Sequence, residues 1–300
     1  MANLIKTKLN EVKKSVIEQI DQDENGKIEI TDIIALAVKI PGIHVNREDF
    51  LRKEFFKNHS ADVIDQAIAT TPANAGIASD EIEKIANEVI KFERNCVSGI
   101  STALGLPGGI AMGATIPADI AQYYAYTLRA AQKLLYLYGF PEINSTEDGI
   151  QLDTETMNTM VMCLGVMYGV AGANNAIKAM AKALAVGVEK QLMNKALTKG
   201  TFFPLVKSVM KWFGVKLTKS VFTGFFKKAI PIVGGIIGGG ITYVSFKPCC
   251  ERLKDALKDT MLSNPKHVSN DIENAVYNSI VTGEAVDTYF ADDNDESPNT

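Results

Sequence analysis

Three long runs without a charged residue limit what this chain can fold into. They cover residues 95–118, 156–177 and 229–246. Each run is about as long as a membrane-spanning helix, which needs roughly 17–25 residues. Glycine, proline or asparagine interrupts all three, as in the Gly-Leu-Pro-Gly-Gly turn at 105–109. We therefore expect the runs to pack against one another in a protein that purifies without detergent, rather than to span a membrane.

The stretch from 104 to 143 joins the first run to a tyrosine-rich helix. That helix contains one acid, Asp119, and one arginine, Arg129, and it closes on Tyr138-Gly139-Phe140-Pro141. An enzyme could bury this stretch as its innermost helix pair, whereas a membrane-seeking protein could insert it as a hairpin. In the enzyme alternative, the candidate pocket residues are Asp119, Tyr123, Tyr126 and Arg129.

Several short motifs follow the first glycine-rich turn in a fixed order. They are Pro117-Ala-Asp-Ile, Leu128-Arg, Leu137-Tyr-Gly and a second glycine-rich block at 229–240. In this order they resemble the EcsC family, over roughly residues 95–260. The resemblance implies a mostly helical bacterial protein. It also implies an ABC transporter as a candidate partner, because the family is named for a gene beside one. The family brings no agreed catalytic residues, so none is assigned.

The composition is that of a globular protein with a large core. Of the 300 residues, 46% are hydrophobic, which is ample for one large domain or two small ones. No stretch alternates polar and apolar residues as a half-buried strand does, so we predict an all-α fold. We expect a helical N-terminal region over 1–94, an EcsC-like helical domain over 95–290 and a disordered acidic tail over 291–300.

Targeting and catalytic signals are sparse. The N-terminus, MANLIKTKLNEVKK, lacks the apolar core of a signal peptide. The four cysteines show neither metal-ligand spacing nor a disulfide framework. The three histidines have no acidic or thiol partner at ligand spacing, and the sequence contains no recognisable Ser/His/Asp catalytic motif. We expect a protein of the bacterial cytoplasm, peripheral to the inner face of the membrane.

Capping and breaking residues predict several helix boundaries. Asn46 predicts a helix over 47–58, and Ser60 predicts one over 61–69. Ser79 or Asp80 opens a helix to about Glu93, and Pro248 separates the third uncharged run from a helix over 251–262.

Residues 21–32 match the loop of an EF-hand, a calcium-binding motif. Oxygen-bearing side chains recur at the ligand positions, and Gly26 stands at the sharp turn. Asp32 replaces the glutamate usual at the last position, and no second loop is visible, so a solvated acidic turn is the alternative. The candidate ligands for Ca²⁺ or Mg²⁺ are Asp21, Asp23, Asn25, Lys27 (through its carbonyl), Glu29 and Asp32.

One block of the chain is strongly basic. Residues 178–228 contain eleven lysines and a single acid, Glu189, in a chain whose net charge is -4. Lysines beside Trp and Phe suit the interface of an anionic membrane, whereas the lack of arginine disfavours nucleic acid. The alternative is a solvated lysine face over an aromatic core. The candidate lipid-binding residues are Lys207, Lys211, Trp212, Phe213, Lys216, Lys219, Lys227 and Lys228.

Together these patterns favour a non-enzymatic protein that binds a membrane surface or lipid and is tuned by a divalent cation. A pore-former that stores apolar hairpins until a trigger inserts them is one alternative. An enzyme or transporter-accessory factor with a tyrosine-lined pocket is another.

Overall fold

The computed structural model describes residue 21 and residues 29–104, 112–143, 152–188, 190–223 and 235–283. These residues form helices and no strand, which confirms the predicted all-α fold. The helices are α1 (Ile30–Val38), α2 (Arg47–Phe55), α3 (Ala61–Ala69), α4 (Ser79–Leu104), α5 (Met112–Leu137), α6 (Thr154–Met167), α7 (Ala173–Ala185), α8 (Lys190–Thr198), α9 (Phe203–Thr223), α10 (Gly235–Leu257) and α11 (Asp271–Thr282).

Side-chain caps fix the start of several helices. The Asn46 side chain accepts a hydrogen bond from the Asp49 N–H at the start of α2, as predicted. Asp153 and Asn270 cap α6 and α11 in the same way. Such caps satisfy N–H groups that have no partner within the helix. The helix α3 also begins after Ser60, as predicted, but the Ser60 side chain makes no capping bond.

The predicted break at Pro248 is wrong, because α10 runs through it from Gly235 to Leu257. A proline inside a helix removes one N–H and crowds the carbonyl four residues earlier. That carbonyl belongs to Val244, whose side chain is on the surface, with 71% of the residue exposed. Water can therefore hydrogen-bond to the carbonyl, and the predicted helix over 251–262 is the second half of a longer one.

One hydrophobic core extends through the described residues. It includes Ile33 of α1, Phe50 of α2, Tyr136 of α5 and Cys163 of α6. The predicted domain boundary at residue 94 falls inside α4. The helices on both sides of that position therefore share a core.

Arg47 ties the N-terminal helices to the end of α5. It is buried, and its guanidinium donates to the carbonyl oxygens of Ala67, Ile68 and Thr70 at the end of α3. Its Nε donates to the Phe140 carbonyl, just after α5, at 3.0 Å. Carbonyls at a helix C-terminus have no partner within their helix. One cation thus satisfies carbonyls from two separate parts of the chain.

Glu93 fixes the register of the α4–α5 hairpin. Its side chain is fully buried, and its Oε1 accepts from Arg129 Nε at 3.0 Å and from Lys133 Nζ at 2.6 Å. Arg129 also donates to the Gly42 carbonyl. The second carboxylate oxygen, Oε2, has no hydrogen-bond partner among the described residues. One buried acid therefore holds two cations of α5 against α4.

Candidate functional site

The helices α4 and α10 pack side by side in opposite directions. Near the start of α4, Glu83 and Asn87 accept from Lys254 of α10 at 3.3 and 3.0 Å. Further along α4, the Arg94 guanidinium lies 3.9 Å from the ring centroid of Tyr243. Position numbers thus rise on α4 as they fall on α10. The C-terminal end of α4 and the N-terminal end of α10 therefore lie at the same end of the bundle.

The N-terminal half of α5 also lies at this end. Glu93 of α4 pairs with Arg129 and Lys133 of α5, whereas Tyr138, just after α5, lines a cleft with Glu83 of α4. The helix α5 is therefore antiparallel to α4 and runs in the same direction as α10. The rings of Tyr123 on α5 and Phe246 on α10 lie 6.3 Å apart, which places the two helices at matching heights.

The C-terminal half of α9 points to the same end. The residue Tyr168, just after α6, contacts Tyr124 of α5 and Phe213 of α9, with ring centroids 6.3 and 5.2 Å apart. Val209 lies directly against Gly165 of α6. Met160 of α6 lines a small cavity with Leu128 of α5, whereas Tyr168 contacts Tyr124, so α6 runs towards the N-terminal half of α5. Because Gly165 contacts Val209 and Tyr168 contacts Phe213, α9 runs parallel to α6 and continues past its end. Residues 214–223 therefore extend beyond the aromatic layer formed by Tyr124, Tyr168 and Phe213.

The four helix segments at this end are nearly free of charge. We call them the low-charge end: 95–104 of α4, 112–123 of α5, 214–223 of α9 and 235–245 of α10. Together they contain three charged residues, Asp119, Lys216 and Lys219. The fold thus brings residues of the first and third uncharged runs to one place, although more than a hundred residues separate them in sequence.

Basic and aromatic side chains lie at the base of the low-charge end. Arg94 stacks on Tyr243, which is 44% exposed. Lys211 is exposed, and Trp212 is half-buried against Tyr168. Lys247 is exposed and pairs with Glu251 at 3.2 Å. We call this group the collar: Arg94, Lys211, Trp212, Tyr243 and Lys247. At 1.5 Å per residue, the described ends of α4 and α10 reach about 12–15 Å beyond it.

The predicted lipid-binding residues have different locations. Lys207 and Lys211 are exposed, and Lys207 Nζ lies 4.5 Å from the Phe203 ring centroid. Phe213 is 1% exposed and belongs to the core, so its inclusion in a membrane-binding surface is wrong. Phe213 and Lys211 are two positions apart on α9, which places their side chains on opposite sides of the helix. Lys216 and Lys219 lie on α9 with side chains outside the described residues, and Lys227 and Lys228 lie outside them entirely.

The basic block does not form one continuous surface. Lys182 of α7 is 9% exposed, donates to Asn274 Oδ1 of α11 and lies 5.2 Å from the Tyr277 ring centroid. The first turn of α11 is acidic. This part of the block therefore packs against the chain's own acidic C-terminal region, while Lys207 and Lys211 remain exposed.

The described members of the predicted tyrosine pocket do not come together. Tyr123 is 3% exposed among aromatic rings, and burial raises the pKa of its hydroxyl. Tyr126 instead lies beside Arg129, whose guanidinium is 5.5 Å from its ring centroid and is held by Glu93. Asp119 lies on α5 with its side chain outside the described residues. Tyr123 and Arg129 face different neighbouring helices, so they line no common cavity.

Three of the six predicted metal ligands are described. Glu29 and Asp32 form a reciprocal cap at the start of α1, in which Asp32 Oδ2 accepts from the Glu29 N–H at 2.8 Å. Asp21 is buried. Asp23, Asn25 and Lys27 lie outside the described residues. Within the described part of the chain no three candidate ligands form a metal-binding group, so the cation site stays a prediction.

A histidine held between two acids has no signature in the sequence. His267 lies before α11, with Nδ1 at 3.1 Å from Asp259 Oδ1 and Nε2 at 2.8 Å from Glu273 Oε2. Carboxylates only accept, so both ring nitrogens must donate and the imidazole is protonated in this arrangement. Burial lowers the pKa of His267, but hydrogen bonds to Glu273 and Asp259 outweigh it, so the net pKa is raised above 6.5.

We expect His267 to make stability depend on pH. Because its pKa is higher in the folded chain, its contribution is full below about pH 6.5 and is lost as pH rises through the folded-state pKa. Urea unfolding of the wild type and His267→Gln should give a free-energy difference that shrinks between about pH 6 and pH 9. A difference that stays constant over this range would contradict the two ion pairs.

The comparisons with known proteins do not extend the resemblance. No family model matches the chain, and neither a curated protein nor a solved structure matches it. In the ranges that the structure describes, no helix is both long enough and apolar enough to cross a bilayer.

Proposed function

We propose that this protein binds the surface of an anionic lipid bilayer through the low-charge end and its collar, without catalysing a reaction. The observation that carries the proposal is the gathering of four nearly uncharged helix segments at one end of the bundle. The other described helices contain charged residues, with the exception of residues 156–167 of α6, most of which are buried in the core. The arrangement is the one expected of a surface that meets lipid on one side and water on the other.

The collar has the chemistry of a bilayer interface. Tyrosine and tryptophan rings favour the boundary between acyl chains and headgroups. Lysine and arginine near an anionic surface each contribute about 1 kcal/mol. Arg94 and Lys211 supply such charges beside Tyr243 and Trp212. The protein would therefore bind reversibly, by adding modest electrostatic and apolar contributions.

The length of the low-charge end favours peripheral binding over a pore. Its described helix ends extend about 12–15 Å beyond the collar, whereas the hydrocarbon core of a bilayer is about 30 Å thick. The described length corresponds to about one leaflet. The enzyme alternative is weaker, because the tyrosine and arginine residues proposed for its pocket contact different helices.

Vesicle sedimentation tests the proposal. We expect binding to phosphatidylglycerol vesicles, weak binding to phosphatidylcholine vesicles, and loss of binding as salt screens the exposed charges. Replacing Lys207, Lys211, Lys216 and Lys219 by glutamine should weaken binding at least tenfold, since each lysine contributes about 1 kcal/mol. Repeating the assay with Ca²⁺ or a chelator tests tuning by a cation at residues 21–32.

The matched control replaces exposed lysines elsewhere, namely Lys53, Lys57, Lys84 and Lys195. It removes the same charge and should leave most of the binding intact. The proposed surface would be refuted if the wild-type protein did not bind phosphatidylglycerol vesicles. It would also be refuted if the two quadruple variants bound them with equal affinity. The EcsC resemblance adds a membrane ABC transporter as a candidate partner, testable by co-purification from membranes.

A further inference from the structure

A cleft of about 860 Å³ lies at the opposite end of the bundle from the low-charge end. It opens where α4 begins, between the turn before α4, the end of α5 and the loop that follows α10. Its volume is within the range of small-molecule sites, about 300–1,000 Å³. The polar side chains that line it include Ser79, Tyr138, Lys258, Asn264 and Lys266.

Tyr138 presents an unused donor at this cleft. It is 3% exposed, and its hydroxyl has no hydrogen-bond partner among the described residues. Burial raises the pKa of this hydroxyl, and the charges of Glu83 and Asp255 raise it further, so the group keeps its proton. Tyr138 itself lines the cleft. Burying a hydroxyl without a hydrogen-bond partner costs free energy, and a ligand that accepts from it would remove this cost.

The turn after α5 holds Tyr138 in this position. Gly139 follows it with a backbone φ of 91°, a conformation that residues other than glycine rarely adopt. A Cβ at Gly139 would lie 2.8 Å from Thr71 Cγ2. The close packing of Gly139 against Thr71 thus fixes the tyrosine against the cleft wall.

The start of α4 adds a second set of donors. Ala78 precedes the helix and lines the cleft, and it has no side-chain oxygen with which to cap the first N–H groups. Its carbonyl accepts from Glu81 and Ile82. The N-terminus of a long helix attracts anions through its unpaired N–H groups and its dipole. The first turn also contains Asp80 and Glu81, which offset part of this attraction, although Glu81 is paired with His59. The α4 terminus and the Tyr138 hydroxyl both offer donors to a ligand.

Ion pairs engage most of the charged side chains around the cleft. Of the two acids in its lining, Glu83 pairs with Lys254 at 3.3 Å and Asp259 pairs with His267 at 3.1 Å. The side chain of Lys258 is 48% exposed, with Nζ 4.0 Å from Glu83 and 3.9 Å from Asp255, and Lys266 is exposed. Lys266 is therefore the lysine of the lining that is most available to a ligand.

We propose that this cleft binds the oxyanion group of a small molecule, a phosphate or a carboxylate. The Tyr138 hydroxyl, the N-terminus of α4, Lys258 and Lys266 act as donors. The site is independent of lipid binding, because about 24 Å of α4, from Ser79 to Asn95, separates it from the low-charge end. Either proposal can therefore fail while the other holds.

Calorimetric titration of the full chain with inorganic phosphate, and separately with citrate, tests this site at constant ionic strength. We expect saturable binding of at least one anion, and the preferred anion identifies the chemistry of the ligand. Tyr138→Phe should weaken that binding about tenfold, the effect of one hydrogen bond to a charged group. It should fold at least as stably as the wild type, because it removes a hydroxyl that has no acceptor.

Two further variants locate the bound anion. Lys266→Gln should weaken binding severalfold, whereas Lys53→Gln, which removes an exposed lysine of α2, should bind as the wild type does. Absence of saturable heat with both anions would overturn the proposal. Equal affinities of Tyr138→Phe and the wild type would overturn it as well.

Discussion

Replacing Arg47 by methionine is expected to lower the free energy of unfolding by about 3–5 kcal/mol, since buried polar groups that lose their partners each cost about 1–3 kcal/mol. Methionine keeps the apolar stem but removes every donor to Ala67, Ile68, Thr70 and Phe140. The carbonyls at the end of α3 would lose their partner, and α3 would detach from the end of α5. Urea unfolding followed by circular dichroism measures the loss.

Arg52 on the same helix provides the matched control. It pairs with Glu48 and Asp65 at 2.8 and 2.7 Å, and its side chain is 44% exposed. Exposed ion pairs contribute little to stability, so Arg52→Met should change the unfolding midpoint only slightly. Equal losses for the two arginines would show that Arg47 does not act through its buried carbonyl partners.

Glu93→Gln is expected to lower the free energy of unfolding by about 3 kcal/mol, because removing one partner of a buried ion pair strands the other charge. Arg129 and Lys133 both donate to the same carboxylate oxygen. Their side chains are only 20% and 15% exposed, so water replaces the lost acid incompletely. Urea unfolding again gives the measurement.

Two variants separate this effect from a general loss of charge on α4. Glu88→Gln removes an acid whose side chain is 68% exposed and should have little effect. Adding Lys133→Met to Glu93→Gln removes one stranded cation and should recover part of the loss, as contacting residues couple. If Glu93→Gln unfolds at the wild-type midpoint, the buried cluster does not hold the hairpin together.

Local patterns in the sequence predicted the helices well. Helical spacing and the lack of alternation gave the all-α fold, and Asn46 and Ser60 marked the starts of α2 and α3. These features depend on a few neighbouring residues. Pro248 misled the prediction because its effect on α10 depends on whether water reaches the carbonyl of Val244. That accessibility is a property of the folded protein.

Contacts between distant residues could not be predicted in the same way. Glu93 and Arg129 lie 36 positions apart, and their pairing depends on the register of a hairpin. The lysines of α7 and α9 look alike in sequence, yet Lys182 is buried against α11 while Lys211 is exposed. No local pattern tells which helix will cover which lysine. The collar likewise exists only after four helices are aligned.

Site-specific labelling measures most directly whether the low-charge end meets the bilayer. Val244, beside the collar, is 71% exposed, and Val268, before α11 and away from the collar, is 87% exposed. Each is replaced by cysteine in a Cys96→Ser background, because the other three cysteines are buried. The cysteines then carry an environment-sensitive fluorophore. With phosphatidylglycerol vesicles, the label at 244 should shift to the blue and the label at 268 should not. A protein that sediments with the vesicles while only the label at 268 responds would contradict the account.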